Sequence, residues 1–164
     1  MADIFEQLDV LQERIQDEIL LNQNLLKLIY YPVENPLNQP DVDDVQSLVD
    51  KYIYFKPIAF ESVIQEGKTI LLLSFGISNT RNRTDFIDIN FVIRVISHNT
   101  LYDVEIDNVI RTRVHAICSE LNKSFLNARG SWLGKCEFKH WGGMTTAQDY
   151  YGVGLTYEVT NFKA

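Results

Sequence analysis

The apolar residues of this chain keep two different periods, and the change falls at Pro57. Before it, Ile4, Leu8, Leu11, Ile15 and Ile19 recur three or four residues apart, which places them on one stripe of a helix. After it, apolar residues fall on alternate positions, the spacing of one face of a strand. Helix first and strands afterwards implies helices laid against a sheet.

The first helix is predicted to start near Ile4, to continue through Leu25–Leu26 and to end before Pro32. Residues 31–44 hold Pro32, Pro36 and Pro40 and read as an extended connector, since proline removes backbone donors and blocks helix. A short helix is expected over Val45–Tyr54, with Leu48, Val49, Tyr52 and Ile53 inward. Ile58, Phe60 and Ser62 then alternate with Ala59, Glu61 and Val63. A Gly67 turn follows, and then Leu71, Leu73, Phe75 and Ile77, so a hairpin is expected. The tract at 78–85 is polar and reads as an exposed loop.

Phe86–Ile96 is a long strand with apolar residues on both faces. Ser97–Thr100 is expected to open a second helix, capped by Thr100 and Asp103. Its stripe is Ile106, Val109, Ile110, Val114, Ile117, Leu121 and Phe125, and Gly130 is its stop. A strand over 132–141, a loop over 142–149 and a clear last strand over 151–159 complete the chain. The fold class is α+β: a mostly antiparallel sheet in the order β-β-β-α-β-β, packed by a long helix, with an N-terminal helical extension. Residues 1–56 form the helix, connector and short helix, and residues 57–164 the sheet domain.

The charge balance narrows the partners. Lys and Arg total 15 and Asp and Glu 22 among 164 residues, a net charge of −7. A general nucleic-acid binder needs a basic surface to displace counterions, so that class is disfavoured. No apolar run approaches the roughly 20 residues that span a bilayer, so no membrane partner is expected. The acidic start MADIFEQLDV lacks a signal-peptide pattern. Two cysteines, Cys118 and Cys136, are too few for a dense disulfide framework, so a reducing compartment is expected.

Chemistry-bearing residues are sparse. His98, with Asp103 and Glu105 nearby in sequence, offers a histidine–carboxylate pair for acid–base work, or simply a polar turn cap. His140 and Cys136 supply half a zinc site at most, and His115 sits within a helix. Gly142–Gly143 lacks the frame of a phosphate loop, and there is no nucleophile elbow or zinc-protease motif. No catalytic residue, cofactor or metal is therefore assigned.

Interfaces carry the expectation instead. Asn79, Arg81, Asn82 and Arg83 form one candidate contact loop, and Met144, Thr145, Thr146 and Gln148 another. The first helix is expected to pack on the domain or on a neighbouring subunit, and in the second case Leu8, Leu11 and Ile15 are its contact residues. Aromatic residues crowd the C-terminal part; a sheet covered on one face must keep the other polar or bury it elsewhere, and Phe86, Val92 and Ile96 on the second face of the long strand point to burial.

The run FVIRVISHNTLYD, the helix VEIDNVIRTRVHAICSELNK and the final DYYGVGLTYEVTNF resemble the tail-terminator and neck proteins of tailed bacteriophages over about residues 57–163. The resemblance implies a non-enzymatic virion protein of the tail or neck. It would form a ring of copies of itself, a hexamer, that caps the tail tube. Its partners would be the tail tube protein and the head-side connector, with DNA crossing the lumen without specific binding. Head closure or another neck role is the neighbouring alternative. A non-viral binding module, or a small enzyme using His98, is the more distant one.

Overall fold

A computed structural model describes residues 4–56, 58, 67–79, 87–127, 135–144 and 149–162. Its helices are α1 (Ile4–Leu21), α2 (Gln23–Tyr30) and α3 (Arg113–Asn127). The strands are β1 (Ile53–Tyr54), β2 (Thr69–Asn79), β3 (Ile87–His98), β4 (Asp103–Ile106), β5 (Val109–Thr112), β6 (Lys135–Met144) and β7 (Tyr150–Phe162). Five of them make one sheet in the order β1-β2-β3-β7-β6, and β4 and β5 pair separately. β2–β3, β3–β7 and β7–β6 are antiparallel, and the short β1 joins the edge in parallel. The architecture is α+β, as the two periods imply.

Register explains the core. Phe75, Phe91, Tyr157 and Phe138 lie in one row across four strands, and Leu73, Ile93, Leu155 and Trp141 in the next. These rows meet Leu25 and Leu28 of α2 and Val114, Ile117, Leu121 and Phe125 of α3 in one cluster. The other face of β3 is apolar only in part. Ile96 joins Ile70 and Tyr54 in a second, smaller cluster. Further along that face Glu137 lies directly opposite Glu158. Like charges so placed repel, and Lys139 bridges both, at 2.7 and 2.9 Å. Its ammonium and that of Lys135 hold the Glu137 carboxyl down at about 2.

The N-terminal helix is not an appendage. Leu11, Ile15 and Ile19 are fully buried in the main cluster, together with residues of the sheet. The stripe of α1 is therefore covered by its own chain, which corrects the expectation that Leu11 and Ile15 dock on a neighbour; Leu8, half-buried, packs against the same cluster. Described residues from both 1–56 and 57–164 share this one core.

Three expected elements differ. The first helix breaks at Asn22, which adopts an extended backbone (φ −86°, ψ 92°) and accepts the amide of Leu25 at 3.0 Å. Its side-chain nitrogen donates to Ser124 Oγ of α3 at 2.8 Å. One asparagine thus caps α2 and pins it to α3. Residues 45–54 form a 3-10 turn at Val45–Leu48, then Asp50 at φ 61° and the strand β1 instead of a helix.

The third difference is the largest. Residues 103–112 form the hairpin β4–β5 rather than the start of a helix. Asp107 and Asn108 both have positive φ, 53° and 61°, the signature of a two-residue hairpin turn whose twist suits the strands. Ile106, Val109 and Ile110 fit a helical stripe by spacing alone. Their β-branched side chains are stiff in a helix and favour a pleated surface. Of the predicted hairpin strand at 58–63, only Ile58 lies within the described residues.

Candidate functional site

Those expected contact residues that are described lie on different elements: Leu8, Leu11 and Ile15 on α1, Asn79 on β2 and Met144 on β6. Asn79 ends β2 opposite Asp88, beyond a register shift. Arg81, Asn82 and Arg83 lie outside the described residues, as do Thr145, Thr146 and Gln148. Met144, at the end of β6, pairs with Gly152 and packs half-buried against the cluster of Ile70 and Ile96.

The candidate acid–base residue is a turn cap. His98 Nδ1 lies 2.8 Å from Thr100 Oγ1 and accepts the Thr100 amide at 3.3 Å, closing the 3-10 turn Asn99–Leu101. Tyr150 stands edge-on to the imidazole, 5.0 Å between centroids. Among the described residues the imidazole of His98 hydrogen-bonds Thr100, not Asp103 or Glu105. Among the described residues no three His, Cys, Asp or Glu side chains gather as a metal-ligating group.

The cysteines are shielded. Burial pushes the Cys118 and Cys136 thiols up to about 12, with the Glu137 charge adding to the effect at Cys136. The same burial pushes the Tyr157 phenol upward. All three groups keep their protons when folded and release them more readily when unfolded. Stability should therefore hold steady up to the thiols' ordinary 9.0 and fall as pH rises from there towards about 12. Urea midpoints across that alkaline range check this; a midpoint that stays level would contradict it.

Two surfaces stand out by shape and polarity. One is a cleft of about 390 Å³ at the β6 edge of the sheet. Cys118, Ser119 and Asn122 of α3 form one wall, with His115 beside them, and Phe138 and Trp141 of β6 form the other. Val153 and Leu155 of β7 line the cleft between these walls. Trp141 is 58% exposed.

The second surface is the tip of the β4–β5 hairpin. Ile110 is 74% exposed and Val109 51%. The hairpin is tied at its base, where the Arg113 amide donates to Tyr102 O at 2.8 Å, and nearer the turn, where Glu105, opposite Ile110, donates its amide to Glu34 O at 2.7 Å. Sequence reasoning placed these residues on a buried helical stripe and so missed them. The signal that could have found them is Asp107–Asn108, a turn pair between β-branched residues.

Comparison with known proteins adds the family. The family model YomW matches residues 22–159, most of the chain and nearly all of the core just described. The chain belongs to the YomW family. This membership points to a phage-associated protein. No curated protein matches the sequence. Among the described residues of this YomW protein, no helix is long and apolar enough to cross a membrane.

Proposed function

We propose that this YomW protein is a structural, non-enzymatic component of a tailed-phage particle: a tail terminator, whose hexameric ring caps the tail tube and joins it to the head-side connector. The observation that carries the reading is the match to a phage-associated family over residues 22–159. The α+β fold is compatible with it, and so is the surface. Exposed Trp141, Val109 and Ile110 are the kind of residue that subunit contacts cover. The net charge of −7 suits a ring through which DNA slides without sticking, because phosphates are repelled rather than bound. In this reading the protein resides in the virion, at the tail or neck, after synthesis in the host cytoplasm.

Electron microscopy of particles assembled without the protein tests the role. Tails of irregular, overgrown length beside tailless heads are the expected result. Finished tails beside heads that have lost their DNA would assign the protein to head closure instead. Normal virions would remove it from assembly altogether.

A further inference from the structure

We draw no further inference here: the strongest candidate, the cleft between α3 and β6 walled by Phe138 and Trp141, is an apolar groove, and nothing in the structure shows what covers it.

Discussion

Arg113→Met should destabilise the protein by about 3 kcal/mol, a drop in Tm of about 6–12 °C for a chain of this size. Arg113 is 1% exposed and spends its guanidinium on backbone carbonyls. Nε donates to Leu101 O at 2.9 Å, Nη1 to Leu28 O at 2.8 Å and Tyr31 O at 3.0 Å, and Nη2 to Val33 O at 2.6 Å. The need arises in the sequence. The carbonyl of Leu28 would ordinarily accept the amide four residues on, but that residue is Pro32, which has none. The carbonyls at the end of α2 also form the negative pole of the helix, which favours a cation there.

Burial pushes the Arg113 pKa down, yet an arginine stays charged, so its attraction to these carbonyls must offset the loss of water. Methionine fills much of the space and leaves several buried acceptors orphaned, each costing about 1–3 kcal/mol, partly returned because no charge is desolvated. Arg113→Lys should recover less than half of the loss, since a point ammonium cannot span acceptors set around a planar fork. Urea unfolding of the three proteins decides it. A methionine variant within about 1 kcal/mol of the parent would mean that water reaches these carbonyls.

Arg113 also marks the limit of what the sequence discloses. Periodicity exposed the strands, because a sheet with one buried face imprints period two on each of them. Ile89, Phe91, Ile93 and Val95 are all fully buried, as their alternation requires. Periodicity failed where two patterns coincide. Residues 104–114 satisfy a helical stripe, and only the turn chemistry of Asp107–Asn108 separates hairpin from helix. It failed again at Asn22, whose break depends on Ser124, a partner 102 residues away. Arg113 looks like any helix-surface cation until α2, the connector and the turn at Leu101 converge on it. The cleft was illegible for a related reason. Its walls come from α3 and β6, and which of their residues face each other is set only by the assembled sheet.

Phe91→Ala should cost about 3–5 kcal/mol, the other large single-residue effect expected. Phe91 is fully buried at the centre of an aromatic group. Its ring stacks on Tyr157 with centroids 5.0 Å apart and planes 17° apart, and meets Phe125 edge-on at 5.3 Å. Phe125 and Phe138 each meet Tyr157 edge-on in turn, at 5.2 and 5.6 Å. Alanine would remove the ring that touches both helix and sheet, and its neighbours come from α3 and from two other strands, so they cannot close in together. Tyr157→Phe should cost far less, about 1 kcal/mol, because it keeps the stack and loses one hydrogen bond, from the phenol to Asn122 Oδ1 at 2.6 Å. Asn122 also lines the cleft, so this milder change frees a cleft side chain while leaving the core intact. Equilibrium unfolding separates the two variants. Equal losses would mean that the hydrogen bond, rather than the packed rings, holds α3 to the sheet.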